Sequence, residues 1–319
     1  NGLLGQDKRG ILRKAIPSWA HPTEKIKTIR NVIGKVGIVP VIAPSAGYDL
    51  DWDDTLVPVA PNYYAIEHAV LRCAYAGCTS IWIVANDDTT PLIRHRIGDF
   101  VQDPVYLRRM AKLRPSWQRR DVPVQYVPMP PEHETKDDCL AWTCLYGAYT
   151  AYWVSAQISK WVSPRRFYVS FPLSMQDADF MRPYRKEVID AKNVVITHGG
   201  KSILTGDPID FTFTDDQMQE GVERFKEISE SLVFGEPEEE REHFKENFTL
   251  EKVFEPLIYE DHTSYELPWR YDMYSWDGYC EYLGSEERKG IKHPGPLVIS
   301  YREYNPMGLD VEFLLDEDD

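Results

Sequence analysis

The chain has 319 residues, of which 43% are hydrophobic, and its formal net charge is −15. A chain of this length and composition can bury a large core, so we expect a globular protein and exclude a disordered one. The acidic charge argues against binding to nucleic acid or to an anionic membrane, because both depend on basic surface. Nucleic acid is therefore not an expected partner.

Cysteine content and hydropathy indicate an intracellular, reducing compartment. The five cysteines are an odd number and include no Cys-x-x-Cys pair, so no disulfide framework is expected. No apolar run approaches the roughly 18 residues of a membrane-spanning helix. The first residues also lack the apolar region of a signal peptide. We expect a cytoplasmic protein without a membrane partner, and the sequence leaves the oligomeric state open.

A strand–helix–strand unit stands near the start of the chain. Residues 38–43 have the length and β-branched content of a buried parallel strand, and a long acidic loop at 44–55 follows. From Pro61 the apolar residues repeat at helical spacing until Gly77, and residues 81–85 form a second buried strand. Because parallel sheets bind ligands beyond the carboxyl ends of their strands, we expect a ligand at the 44–55 loop.

The same residues carry a family resemblance. A strand, a small-residue loop, Leu56-x-Pro58-Val59, Ile66-Glu67-His68 and Ala76-Gly77 follow in that order. This order resembles the first half of a sugar-phosphate nucleotidyltransferase, an enzyme of the GT-A fold of nucleotide-diphospho-sugar transferases. The resemblance covers residues 36–215. It implies an α/β fold, a three-layer Rossmann-like GT-A domain with a mostly parallel central sheet.

The resemblance also implies site residues. The loop after the first strand would hold the nucleotide through its backbone, and the turn before the long aromatic helix at 137–162 would face it; these residues are Ala43, Pro44, Ser45, Ala46, Gly47 and Asp138. The family's loop is rich in glycine and carries basic residues, whereas this loop offers Gly47, followed by Asp53 and Asp54. Carboxylates repel a triphosphate unless a metal intervenes.

A possible metal site follows a later strand. Residues 167–171 form a buried strand pattern, and Asp177 and Asp179 come soon after it. Two carboxylates one residue apart can approach one face of Mg²⁺ or Mn²⁺, the cations that carboxylate oxygens prefer. In glycosyltransferases of the resembling fold, a similar D-x-D binds the metal of the sugar nucleotide. The alternative is that Asp177 caps a helix toward Arg182.

Two further places could contact anions. The segment 106–120 is strongly basic and includes Arg108, Arg109 and Lys112. A charge run is usually a solvated helix face, and the alternative is a phosphate site. His198 ends a predicted strand at 192–198 and could touch phosphate, although a histidine in that position is more often structural. Beyond it, residues 209–213 alternate as a half-exposed strand.

The acidic, proline-marked segment that begins at Glu236 predicts a domain boundary. Residues 1–235 would form the nucleotide-binding domain, and 236–319 an irregular, acidic and aromatic-rich extension.

Three functions remain open, and no catalytic residue is assigned. The first is a nucleotidyltransferase-like enzyme that makes or uses a nucleotide-activated sugar with a divalent metal, and its partner would be a nucleotide or nucleotide sugar. The second is a metal-dependent GT-A glycosyltransferase. The third is a non-catalytic relative that serves binding or assembly. Both enzymatic hypotheses require Asp177, Asp179 and the 44–49 loop to converge on one cleft.

Overall fold

The structure is a computed structural model that describes residues 34–43, 45–105, 121–130, 139–158, 163–185, 192–231, 237–293 and 298–299. These residues belong to one compact unit, Val32–Asp319. The strands are β1 (Lys35–Pro40), β2 (Pro58–Ala60), β3 (Tyr63–Tyr64), β4 (Ser80–Ala85), β5 (Phe100–Gln102), β6 (Asp121–Pro128), β7 (Arg166–Val169), β8 (Ser174–Gln176), β9 (Asn193–Thr197), β10 (Phe211–Thr214), β11 (His262–Glu266), β12 (Arg270–Asp272) and β13 (Val298–Ile299). The helices are α1 (Ala65–Tyr75), α2 (Thr90–Ile97), α3 (Leu140–Ile158), α4 (Asp215–Ser231), α5 (Pro237–Asn247), α6 (Leu250–Ile258), α7 (Trp276–Gly284) and α8 (Glu287–Gly290).

One large sheet organises the described residues. Nine of their strands lie in the order β11-β9-β10-β7-β1-β4-β6-β5-β13. Strand β10 is antiparallel to β7 and β9, and β5 is antiparallel to β6 and β13. The other seven strands therefore run in one direction, and the carboxyl ends of β1 and β7 lie at the same edge. The predicted mostly parallel α/β sheet is confirmed.

Both faces of this sheet are covered by helices. Alternate residues of β1 point to opposite faces, so Ile38 contributes to one apolar cluster and Val39 to the other. Helices α3, α4, α5 and α6 pack in the first cluster, and α1 and α2 pack in the second. The chain thus buries apolar side chains on both sides of a three-layer body, as its near-continuous apolar strands require.

Local sequence patterns explain the strand–helix–strand unit formed by β1, α1 and β4. The predicted strands at 38–43 and 81–85 correspond to β1 and β4, which pair in parallel. Helix α1 ends before Gly77, whose φ of +82° is a conformation that glycine adopts without steric cost. The residue that the sequence pattern marked as a helix stop therefore has the backbone geometry of one.

The expectation for residues 209–213 is wrong in one respect. The segment pairs with its neighbours as expected, since Phe211 lies opposite Val195 of β9. It is not half-exposed, however, because Asp210 and Thr212 are as fully buried as Phe211. Strand β10 lies between β9 and β7 inside the sheet, and partners within the protein satisfy its polar side chains.

Residues beyond 236 contribute to the same body. Helix α5 brings Phe244 into the first apolar cluster, and α6 adds Phe254. Strand β11 extends the main sheet by pairing in parallel with β9. The described part of the expected extension therefore includes helices and strands, and the boundary at residue 235 stays a prediction.

Among the described residues, no helix is both long enough and apolar enough to cross a membrane.

Candidate functional site

A pocket of about 340 Å³ opens beyond the carboxyl end of β1. It is lined by Ser45, Cys139, Leu140, Ala141, Gly206, Pro208, Lys245, Phe248, Thr249, Leu250, Asp272 and Tyr274. Because β10 runs against its neighbours, Gly206 and Pro208, which precede it, lie at the same sheet edge as the end of β1. The pocket therefore occupies the crevice in which sheets of this type bind ligands.

Two predicted nucleotide segments meet at this pocket. Ser45 comes from the loop after β1, and Cys139 directly follows the predicted Asp138. The start of α3 is fixed to the loop, since the Thr143 hydroxyl donates a hydrogen bond of 2.9 Å to the carbonyl of Ile42. Asp138 itself and Pro44 lie outside the described residues, and Ala43 is partly buried against the first apolar cluster.

The loop after β1 has its own hydrogen bonds. The Ala46 N–H donates to Oδ2 of Asp54 at 2.7 Å, and the Ser45 hydroxyl donates to the same oxygen at 3.2 Å. The Gly47 N–H donates to the Ser45 hydroxyl oxygen at 3.1 Å. The Ala46 N–H, which the sequence predicts for a nucleotide, therefore donates to a carboxylate of the chain itself, and so does the Ser45 hydroxyl.

Tyrosine hydroxyls fix the segment around 270–284 against the amino-terminal half. The Tyr48 hydroxyl donates to the carbonyl of Met273. Tyr279 and Tyr282 on α7 donate to the carbonyls of Pro58 and Val59, each at 2.8 Å. These contacts place the segment that carries Asp272 and Tyr274 beside the loop after β1. Burial raises the pKa of the Tyr48 hydroxyl above its ordinary value, so Tyr48 remains a neutral donor.

The predicted metal ligands lie in the turn after β8. Oδ1 of Asp177 accepts the Asp179 N–H at 3.3 Å, and Oδ2 of Asp179 is 3.8 Å from the Arg182 guanidinium. Burial raises the pKa of Asp177. Ala178, between the two aspartates, packs against the apolar cluster that contains Ala46 and Tyr48.

Neither aspartate lines the pocket described above, so this pocket alone does not bring Asp177, Asp179 and the 44–49 loop into one cleft, as both enzymatic hypotheses require. Within the described ranges, no three His, Cys, Asp or Glu side chains form a group that could hold a metal ion. Two carboxylates suit Mg²⁺ when substrate phosphates complete its coordination, and here one of the two, Asp179, faces the Arg182 guanidinium.

None of the predicted anion contacts is seen beside the loop after β1 in the described part of the chain. Arg108, Arg109 and Lys112 lie outside the described residues. His198 lies at the end of β9, where its Nδ1 is 3.2 Å from the carbonyl of Leu267. Strands β10 and β7 separate β9 from β1, so His198 is distant from the loop at 44–47 along the sheet.

A buried polar network lies behind the carboxyl end of β7. Asp210 accepts hydrogen bonds from Arg72 at 2.9 Å, from the Tyr168 hydroxyl at 2.8 Å and from the Gln176 side chain at 3.0 Å. Burial raises the pKa of Asp210, whereas the Arg72 guanidinium acts to lower it. Next to this network, Nε2 of His68 is 2.7 Å from the Gln176 carbonyl, and burial lowers the pKa of His68 to about 3. These contacts connect α1 and β8 with the residue that precedes β10.

Comparisons with known proteins address the fold. No model of a protein family matches the sequence, and no curated protein matches it. A solved structure described as a glucose-1-phosphate thymidylyltransferase from Bacillus anthracis, in complex with sucrose, aligns with a TM-score of 0.53 at 12% identity, over 82% of this chain and 97% of that one. The UTP-bound UGPase from Acinetobacter baumannii aligns with a TM-score of 0.50 at 13% identity, over 82% of this chain and 95% of that one. The chain has the nucleotide-diphospho-sugar transferase fold.

Sequence reasoning missed several residues that line the pocket of this chain. Lys245, Asp272 and Tyr274 lie beyond residue 235, in the part of the chain that the family resemblance did not cover. One signal was available, since the tyrosine-rich stretch around 271–282 suggests side chains with an apolar body and a hydroxyl that needs a partner. That signal indicates packing, but it does not identify the surface on which the segment packs.

Proposed function

We propose that this chain is a nucleotidyltransferase-like enzyme that makes or uses a nucleotide-activated sugar, and that it binds this ligand in the pocket beyond β1. The observation that carries the proposal is that Ser45 of the β1 loop and Cys139–Ala141 at the start of α3 line the same pocket. Ser45 is one of the predicted nucleotide contacts, and Cys139 directly follows another, Asp138.

The chemistry of the pocket suits such a ligand. Its volume of about 340 Å³ lies at the lower end of the range for small-molecule sites, about 300–1,000 Å³. Leu140 and Phe248 supply apolar surface for a base or a sugar ring. Lys245 supplies a cation for a phosphate, and Asp272 supplies a carboxylate that can accept hydrogen bonds from hydroxyl groups.

A divalent cation belongs to this proposal. Asp177 and Asp179 lie outside the pocket lining, so they would hold Mg²⁺ or Mn²⁺ for this ligand only where its phosphates extend from the pocket to the turn after β8. The chain's own groups would orient the ligand: Lys245 through its charge, the start of α3 through packing, and Asp272 through hydrogen bonds. Glycosyl transfer remains a second candidate, because the carboxylate of Asp54 occupies the loop in which nucleotidyl transfer would require a triphosphate.

Thermal unfolding with a panel of nucleotide sugars and nucleoside triphosphates, with and without Mg²⁺ or Mn²⁺, tests the proposal. A ligand at a hundred times its dissociation constant should add about 2.7 kcal/mol to the free energy of unfolding. We expect Lys245→Glu to weaken this stabilisation. Lys252→Glu makes the same charge change on the neighbouring helix, outside the pocket lining, and should not weaken it.

The metal part of the proposal has its own variant. Asp177→Asn combined with Asp179→Asn should remove any metal-dependent component of the stabilisation. No stabilisation of the parent chain by any member of the panel would contradict both enzymatic functions, and it would favour a non-catalytic protein of this fold.

A further inference from the structure

The donors of the loop after β1 bind a carboxylate of the chain itself, the side chain of Asp54. Oδ2 of Asp54 accepts the Ala46 N–H at 2.7 Å and the Ser45 hydroxyl at 3.2 Å, and Gly47 donates to that hydroxyl oxygen. Backbone N–H groups in a tight loop that follows a strand are the groups with which proteins bind phosphate oxygens. In this chain a single carboxylate oxygen accepts two of the loop's donors.

A separate turn holds Asp54 in this position. Residues Asp54–Leu56 form one turn of 3-10 helix, and the preceding Asp53 caps it. Oδ1 of Asp53 accepts the Thr55 N–H at 2.9 Å and the Thr55 hydroxyl at 2.6 Å. Adjacent aspartates therefore have different roles, because Asp53 shapes the turn while Asp54 contacts the loop.

An incoming phosphate would have to displace this carboxylate. It would then lie beside the charge that it had displaced, and like charges at that distance repel. A neutral hydroxyl of a sugar or ribose pays no such penalty, and it can donate to the carboxylate or accept from the loop. Ser45 also lines the pocket, so the choice between charged and neutral groups is made at the edge of the candidate site.

We propose that Asp54 is a specificity-determining residue that fills the anion position of the β1 loop and excludes phosphate from it. The loop then contacts uncharged hydroxyl groups of the ligand, and the phosphates of a nucleotide sugar lie elsewhere in the crevice. This inference deepens the proposed function and rests on it for the identity of the ligand. The exclusion of phosphate does not depend on that identity.

Binding of inorganic pyrophosphate, followed through the amide NMR signals of Ala46 and Gly47, tests the exclusion. The parent chain should show no saturable shift of these signals at millimolar pyrophosphate. Asp54→Ala frees the Ala46 N–H and the Ser45 hydroxyl, and it should bind pyrophosphate about tenfold or more tightly than the parent chain, as expected when a charge-assisted hydrogen bond becomes available. Asp54→Asn keeps an acceptor and loses the charge, so its affinity should be intermediate.

Asp51→Asn is the matched control. Asp51 is exposed in the same loop, and the variant changes the net charge by the same amount without removing the contact to Ala46. Equal gains in Asp51→Asn and Asp54→Asn would overturn the proposal, because they would assign the effect to net charge. Saturable shifts at Ala46 and Gly47 in the parent chain would also overturn it. Unfolding temperatures of all variants verify that each is folded.

The proposed function and this inference can fail separately. If the parent chain binds no nucleotide sugar but Asp54→Ala gains pyrophosphate binding at Ala46 and Gly47, the proposed function fails and the phosphate exclusion stands. If the parent chain binds a nucleotide sugar and its loop amides also respond to pyrophosphate, the exclusion fails and the proposed function stands.

Discussion

Arg72→Met should destabilise the protein strongly, because it breaks an ion pair that has no access to solvent. The Arg72 and Asp210 side chains are 1% and 0% exposed, and NH1 lies 2.9 Å from Oδ1. Arg72 also donates to the carbonyl of Phe171. Removing one partner of a buried pair leaves an uncompensated charge and typically costs about 3–5 kcal/mol.

A surface pair of similar geometry provides the control. Nε of Arg94 lies 2.8 Å from Oδ1 of Asp99, but the Arg94 side chain is 57% exposed. Exposed pairs contribute about 0–1 kcal/mol, so Arg94→Met should cost far less. Urea unfolding of both variants, followed by tryptophan fluorescence, gives the two free energies. Equal costs would refute the reasoning, because burial is what distinguishes the pairs.

The stability lost in Arg72→Met should also depend on pH. Burial raises the pKa of Asp210 in the folded state, and Arg72 opposes that rise. Without Arg72 the folded-state pKa should increase further. A carboxyl whose pKa is higher in the folded than in the unfolded state loses stability as pH rises through that interval. The difference between Arg72→Met and the parent chain should therefore shrink at acidic pH. A constant difference would contradict this assignment.

Three further predictions follow from buried side chains. The pKa of His68 is lowered by burial to about 3 from 6.5, so stability should fall as pH drops below 6.5, and His68→Gln should flatten that slope in urea unfolding. The pKa of Lys35 is lowered by burial to about 8 from 10.5, so its contribution to stability should increase as pH rises between these values, and Lys35→Met should lack this increase. Trp142 is 2% exposed and its ring stacks on Phe225 at 3.8 Å, so Trp142→Ala should cost about 3–5 kcal/mol in the same assay. Trp52, which is 51% exposed, is its control, and Trp52→Ala should change stability by about 0.5 kcal/mol or less. Unchanged pH slopes in the first two variants, or equal costs in the two tryptophan variants, would contradict these predictions.

The sequence predicted the fold where local patterns determine structure. The apolar run at 81–85 predicted a buried strand, and Gly77 before it predicted the end of the preceding helix. The same patterns failed for Asp210 and Thr212, which look like the solvent face of a strand. Asp210 is buried because Arg72, 138 residues earlier in the chain, neutralises it. A partner so distant in the sequence leaves no local signal.

The candidate site was predictable only in part for the same reason. The loop after β1 could be located, because the end of a parallel strand marks the ligand side of a sheet. That Asp54 would turn back to accept the Ala46 N–H could not be predicted, since the loop's composition indicates charge but not direction. Lys245 and Asp272 line the same pocket as Ser45, although they lie far from it along the sequence.

Photoaffinity labelling tests the central claim most directly, that the pocket beyond β1 holds a nucleotide sugar. The parent chain would be irradiated with photoreactive nucleotide sugars, with and without an excess of the unmodified ligand, and the labelled peptides mapped by mass spectrometry. We predict competed labelling at residues that line the pocket, namely Cys139–Ala141, Lys245, Phe248–Leu250, Asp272 or Tyr274. Labelling confined to other segments, or labelling that the unmodified ligand does not reduce, would contradict the account.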